Sequence, residues 1–124
     1  MKILIELPTW LGDCVMATPA IENIVNYYSN PKITIIGSNV SLEILKNHPK
    51  VIKTIVMDKK YLSLLKTARN LGKFDVFFSF RGSIRSVFFK IFISSTNKFQ
   101  FNKNVYQHCH QVEKYNNFIN ASIG

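Results

Sequence analysis

Hydrophobic and polar positions along this chain fall into two alternating patterns. Short β-rich apolar runs predict strands at Lys2–Leu7, Ile33–Gly37, Lys53–Met57, Asp75–Phe80 and Lys98–Phe101. Between them, apolar residues at three- and four-residue spacing predict helices near Pro19–Tyr28, Ser41–Asn47, Tyr61–Leu71, Ser83–Phe92 and His110–Asn120. Strands alternating with helices predict an α/β fold, a Rossmann-like parallel sheet with helices on both faces. Ile33-Thr34-Ile35-Ile36 is β-branched and almost wholly apolar, as a strand covered on both faces requires.

Helix punctuation sharpens this outline. Thr18-Pro19 has the form of an N-cap followed by proline at the first helical position, where a missing N–H costs nothing. Ile21, Ile24, Val25 and Tyr28 then share one apolar face, and Asn30-Pro31 is the expected stop. Leu62, Leu64, Leu65, Ala68 and Leu71 predict a second buried stripe, closed by Gly72. No repeat, low-complexity tract or interdomain linker interrupts the 124 residues, so a single domain over 1–124 is expected.

Candidate chemistry lies where predicted strands give way to helices. In an open α/β sheet such turns lie at the carboxyl edge, where ligands bind. The first strand breaks into Pro8-Thr9-Trp10-Leu11-Gly12-Asp13. Asp13 has two readings: a carboxylate capping a helix start, or a general base at the rim of a cleft. Trp10, the only tryptophan, is either a plug under the loop or a wall that shapes a substrate site. After the fourth strand, Phe80-Arg81-Gly82-Ser83-Ile84-Arg85-Ser86 joins two arginines and a serine to the free N–H groups of a helix start. That is an anion site, or two solvated arginines beside an ordinary serine cap. Walker and dinucleotide glycine spacings are missing. His108-Cys109-His110 lacks a second ligand pair at metal spacing, so no metal is expected. His110 and Glu113 lie three apart and can share a helix face.

Charge narrows the partners. Sixteen Lys and Arg against seven Asp and Glu give a net charge of +9. Such a surplus favours an anionic partner: nucleic acid, a phosphorylated molecule or an acidic membrane surface. The basic residues are dispersed and no nucleic-acid-binding motif is present, so no nucleic acid is expected. Two distant cysteines, Cys14 and Cys109, fit reduced thiols in a cytoplasmic protein. Glu6 and Pro8 interrupt the first apolar run, which excludes a signal peptide. Ser86–Ser94 is too short to span a bilayer.

The segment Lys2-Ile3-Leu4-Ile5 through Pro8-Thr9-Trp10-Leu11-Gly12-Asp13-Cys14-Val15-Met16-Ala17-Thr18-Pro19-Ala20-Ile21 resembles the start of the lipopolysaccharide heptosyltransferases, glycosyltransferase family 9. Three later segments resemble the family in order and spacing: His48-Pro49-Lys50-Val51, Phe74-Asp75-Val76 leading to Arg81-Gly82-Ser83-Ile84-Arg85-Ser86, and His110-Gln111-Val112-Glu113-Lys114-Tyr115. Asn97-Lys98-Phe99-Gln100-Phe101 departs from the family's Arg-x-Gly-Phe pattern.

This resemblance implies the N-terminal, acceptor-binding half of a GT-B enzyme. Heptose would pass from ADP-heptose, with inversion, to the anionic Kdo–lipid A inner core of lipopolysaccharide or lipooligosaccharide. Asp13 then matches the family's general base. Thr9, Trp10, Gly12, Arg81, Ser83, Arg85 and His110 become candidate acceptor contacts. No cofactor is implied beyond the ADP-heptose donor, held mainly by a C-terminal nucleotide-sugar domain that nothing in these residues resembles. The expected setting is cytoplasmic, peripheral to the inner membrane, with a separate donor-domain chain as a possible partner. Alternatives are a non-catalytic anion-binding Rossmann-like module and a degenerate, truncated remnant.

Overall fold

The computed structural model describes residues 1–57, 60–101 and 111–123. In chain order the elements are β1 (Lys2–Glu6), α1 (Leu11–Tyr27), β2 (Lys32–Gly37), α2 (Asn39–Leu45), β3 (Val51–Val56), α3 (Tyr61–Asn70), β4 (Lys73–Ser79), α4 (Ile84–Phe92), β5 (Ser94–Gln100) and α5 (Gln111–Ile123). The strands form one sheet in the order β3-β2-β1-β4-β5, with every pairing parallel. This is the α/β architecture that the alternating pattern predicts.

Burial follows from position in the sheet. β1 is central, and Ile3, Leu4 and Ile5 are fully buried. Alternate side chains serve opposite faces, as the two-residue strand period requires. Ile3, Ile5, Val76 and Phe78 join one cluster with Ile24 of α1, Leu42 of α2 and Phe118 of α5. Leu4, Ile36 and Phe77 join the other with Leu64 of α3 and Phe89 of α4. The result is three layers, a sheet between two helical coats.

Three expectations change. α1 begins at Leu11, eight residues before the expected start, so Pro19 lies inside it. A proline there leaves the Val15 carbonyl without its N–H partner. The Thr18 hydroxyl donates to that carbonyl at 2.7 Å, and Pro19 itself is exposed, so the helix runs on. Thr18-Pro19 is therefore a repaired break rather than a helix start. Leu62 is 77% exposed and does not belong to the buried stripe on α3, where Leu64 and Ala68 do. β3, β4 and β5 start two to four residues earlier than predicted, at Val51, Lys73 and Ser94; in β5 the added residues Ser94–Asn97 are all polar and pair with β4 without an apolar signature.

Gly72 ends α3 as expected. Its φ is +76°, in the left-handed region that side chains disfavour. A Cβ there would meet nothing within 4 Å. The cost of Gly72→Ala is thus conformational alone, about 1–2 kcal/mol. Chemical denaturation should show that loss with an unchanged m-value; an unchanged midpoint would mean that the turn relaxes at no cost.

Candidate active site at the carboxyl edge of the sheet

The chain reverses its winding direction between β1 and β4. β1 connects outward to β2 on one side, and β4 and β5 extend the sheet on the other. Helices leaving the carboxyl ends of β1 and β4 must diverge, which opens a crevice at this switch point. Phe80 N donates to the Glu6 carbonyl at 3.0 Å and Leu7 N to the Ile36 carbonyl at 2.9 Å, so pairing with both neighbours persists to the rim. The two loops past it, 7–10 and 80–83, form opposite walls of a cavity of about 850 Å³.

Thr9, Trp10 and Asp13 stand on the β1–α1 wall, and Arg81, Gly82 and Ser83 on the β4–α4 wall. Lys90 of α4 and Lys114 of α5 complete the charge: among the described residues, three cationic side chains face one carboxylate. The β1–α1 loop is held from α2. Ser41 Oγ donates to the Pro8 carbonyl at 2.6 Å, and Ser38 Oγ to the Thr9 carbonyl at 3.0 Å. The opposite loop is held by Gln100, whose Nε2 donates to the Arg81 carbonyl at 3.1 Å. A Cβ on Gly82 would lie 3.2 Å from the Phe101 carbonyl oxygen, so a side chain there would have to push this loop a few tenths of an ångström away from the end of β5.

Asp13 does not cap α1. The cap position is Trp10, with no side-chain hydrogen bond, and Asp13 is the third helical residue. Its carboxylate still lies at the positive end of the helix and is partly exposed toward the cleft. Trp10 is 73% exposed, which rules out the plug beneath the loop and leaves the wall. Ser83 is the expected cap of α4: its Oγ accepts from Ser86 N at 3.2 Å. Arg85 faces a second cavity rather than this one. Gly12 lines neither cavity, and a Cβ there would meet nothing within 4 Å. His110, like His108 and Cys109, lies outside the described residues. Glu113 is exposed on α5. Cys14 is a free, buried thiol whose pKa burial pushes up to about 11.

The second cavity, about 330 Å³, adjoins the first. Thr9, Trp10 and Arg81 belong to both. Its wall includes Glu6, a carboxyl group at the last position of β1 with no exposed surface. Ser79 Oγ donates to Glu6 Oε1 at 2.5 Å. Glu6 Oε2 makes no hydrogen bond among the described residues, and Arg81 Nη1 stands 3.9 Å from it. Burial raises the Glu6 pKa above its ordinary value; the Ser79 hydrogen bond and the Arg81 charge oppose that, and Ser86 helps without closing a hydrogen bond onto Oε2. Sequence reasoning treats Glu6 only as an interruption of an apolar strand. That interruption is itself the available signal, since a buried strand seldom carries an acid without a use for it.

This raised pKa has a consequence for stability. Below the unfolded value of 4.5 both states are protonated and Glu6 costs nothing. As pH rises, the unfolded chain ionises freely while the folded one resists, so stability falls until the folded carboxyl ionises too. Glu6→Gln should therefore be more stable than the wild type at pH 8, by about 1–3 kcal/mol, with the gap closing toward pH 4. Urea melts across that range test it; parallel pH curves would refute it.

No family profile matches the chain. Over 125 aligned positions, 99% of the chain, it is 38% identical to the lipooligosaccharide heptosyltransferase 2 of Campylobacter jejuni serotype O:2. This chain is homologous to the lipooligosaccharide heptosyltransferases. The sequence resemblance thus holds, and the chain spans 39% of that relative's length. Among solved structures, the family 9 glycosyltransferase of Veillonella parvula matches 99% of the chain and 41% of its own, with a TM-score of 0.79 at 20% identity. The E. coli ADP-heptose lipopolysaccharide heptosyltransferase II matches 96% and 40%, with a TM-score of 0.74 at 19% identity. At such identities the likeness carries the fold: a Rossmann-like unit equivalent to the N-terminal half of a GT-B glycosyltransferase.

Proposed function

We propose that this chain is the acceptor-binding unit of an inverting heptosyltransferase of lipopolysaccharide or lipooligosaccharide core assembly. The observation that carries the reading is the placement of Asp13. It is the one acid among the described residues of a cationic cleft at the switch point, in a chain homologous to heptosyltransferases over nearly its full length. Asp13 accepts the proton of an acceptor hydroxyl while that oxygen attacks the anomeric carbon of the heptose. The new C–O bond forms on one face as the bond to ADP breaks on the other, and ADP leaves with the bonding pair. Proton removal and in-line alignment are the two terms that such a step needs from the acceptor side.

Arg81, Lys90 and Lys114 bind phosphate or carboxylate groups of the inner-core acceptor, and Trp10 offers an apolar face to a sugar ring. The heptose donor is held by a unit outside these 124 residues, so transfer needs both. Among the described residues no helix is long and apolar enough to cross a membrane. With a net charge of +9, the chain works at the cytoplasmic face of the inner membrane by electrostatic attraction. The test joins the chain, fused or mixed, to the C-terminal half of a homologous heptosyltransferase and follows release of ADP from ADP-heptose with an inner-core acceptor. Acceptor-dependent release only in the combined sample is the expected result. Tight acceptor binding with no release in any combination would favour a non-catalytic anion-binding module.

A further inference from the structure

The sheet divides the charge of this chain. α1, α2 and α5 coat the face that holds Ile3, Ile5 and Phe78; α3 and α4 coat the face that holds Leu4 and Phe77. The first coat carries Asp13, Glu22, Glu43 and Glu113 against one cation, Lys114. The second carries Lys66 and Arg69 on α3 and Arg85 and Lys90 on α4, and neither helix contains an acid. Hydrophobic residues divide in the same sense. α4 buries Phe89 against Phe77, yet its opposite side is also apolar. Ile84, Val87 and Ile91 follow there at three- and four-residue spacing and are 80%, 42% and 65% exposed, with Phe92 beside them at 45%. No charged or polar side chain interrupts that arc. A helix that is apolar all round is ordinarily covered. On the adjoining α3, Leu62 is 77% exposed and shares a face with exposed Lys66 and Arg69, four and seven residues on.

We propose that the α3–α4 face docks this chain on an anionic lipid bilayer: the apolar side of α4 sinks into the interfacial layer, and Lys66 and Arg69 bind lipid phosphates beside it. This role rests on the reading of the cleft as the site of a lipid-linked, anionic acceptor, and adds the surface by which the chain reaches it. Charge complementarity selects the occupant. Cations without a single acid match an anionic leaflet. A second copy docked through the same face would set those cations against themselves. Shape agrees, because Ile84 and Leu62 project outward instead of lining a groove. A deformable bilayer interface takes projecting side chains without a matching cavity.

The docking face is continuous with the cleft. Val87 and Lys90 of α4 line the larger cavity together with Arg81 and Trp10. With α4 lying in the interface plane, the mouth of that cavity comes to headgroup level. An acceptor anchored by acyl chains then offers its sugars and phosphates to the cleft without leaving the bilayer. The carboxyl end of α4 is also prepared for a surface poor in water. Lys98 Nζ donates to the Lys90 and Ile91 carbonyls at 2.8 and 3.4 Å, which satisfies groups that would otherwise need solvent and places a cation at the negative end of the helix.

The probe is a pair of vesicle preparations, phosphatidylcholine alone and phosphatidylcholine mixed with phosphatidylglycerol, sedimented with the purified chain. Wild type should bind the mixed vesicles and leave the neutral ones. Ile84→Ser/Ile91→Ser should weaken binding about tenfold or more at unchanged net charge. Lys66→Gln/Arg69→Gln should weaken it about tenfold or more, whereas Lys32→Gln/Lys46→Gln, the same charge removed far from this face, should cost no more than about threefold. In a Trp10→Phe background, which removes the only native tryptophan, Ile91→Trp fluorescence should shift to the blue on mixed vesicles. The substituted side chains are all exposed, so the fold should persist, and melting curves check that it does. Equal losses from the two charge pairs, or no blue shift at residue 91, would reduce binding to undirected net charge and overturn the proposal. Lipid-free self-association abolished by Ile84→Ser/Ile91→Ser would give the face to a second copy. Loss of vesicle binding on adding the C-terminal half of a homologous heptosyltransferase would give it to the donor unit, and either result would also overturn the proposal. Vesicle binding needs no donor unit, so failed heptose transfer leaves it standing. Transfer to a water-soluble acceptor without any vesicle binding would sink this proposal alone.

Discussion

Replacing Asp13 by Asn or Ala is expected to lower kcat for heptose transfer about 10²–10⁴-fold when a donor unit is supplied, the range that one positioned base contributes. KM for the acceptor should change little, because the cations that hold it are elsewhere in the wall, on Arg81, Lys90 and Lys114. The fold should survive. Asp13 is not the cap of α1, and no side-chain hydrogen bond caps that helix. What is lost on substitution is the attraction between a first-turn carboxylate and the helix dipole, about 0.3–1 kcal/mol. Parallel steady-state kinetics and melting curves distinguish the outcomes. A kcat within threefold of wild type would remove Asp13 from the mechanism. A collapse of the melting temperature would make it structural after all.

The largest stability effect is expected at Phe80, the residue that follows β4 beneath the cleft. It is 2% exposed and packs edge-to-face on two rings of α5, Tyr115 at 5.2 Å and Phe118 at 5.7 Å. Phe101 closes the same cluster against Tyr115 at 5.0 Å. Phe80→Ala should cost about 3–5 kcal/mol, since it removes apolar burial, leaves a hole and cancels two ring contacts. That is a large share of the roughly 5–15 kcal/mol by which domains are stable. The same ring lines the larger cavity, so α5 and Lys114 should loosen along with the fold. Hydrogen exchange should show lost protection over residues 115–123 before the sheet opens. A melting temperature within about 3 °C of wild type, equivalent to less than about 1 kcal/mol, would mean that α5 does not dock through this cluster.

How much of this was legible depends on what each signal measures. Periodicity reads side chains that face a core, and it found the five strands and five helices in order. It failed at α1, where Pro19 looks like a beginning. The distinction lies in one hydroxyl: Thr18 satisfies the carbonyl that the proline orphans, and no apolar pattern records that bond. It failed at Leu62 because spacing places residues on a stripe without saying which edge of the stripe the next layer covers. The opening motif located Asp13 and Trp10 at a strand end. Whether Asp13 caps a helix or faces a cleft depends on where α1 starts: the helix begins at Leu11, two residues before Asp13, with Trp10 in the cap position.

Composition and local pattern by themselves determined the class of fold, the carboxyl edge as the place for chemistry, and the acid and arginines that stand there. These are short-range properties: strand and helix periods, turn residues and net charge. The tertiary structure alone decided which of those residues meet. Placing β4 beside β1, 73 residues apart at Glu6 and Ser79, brings Arg81 over a buried carboxyl and sets it between two cavities. No local signal encodes that juxtaposition, because it depends on strand order. The strand order is decided by how the helices cover both faces of the sheet, a property of the whole chain rather than of any one segment of it.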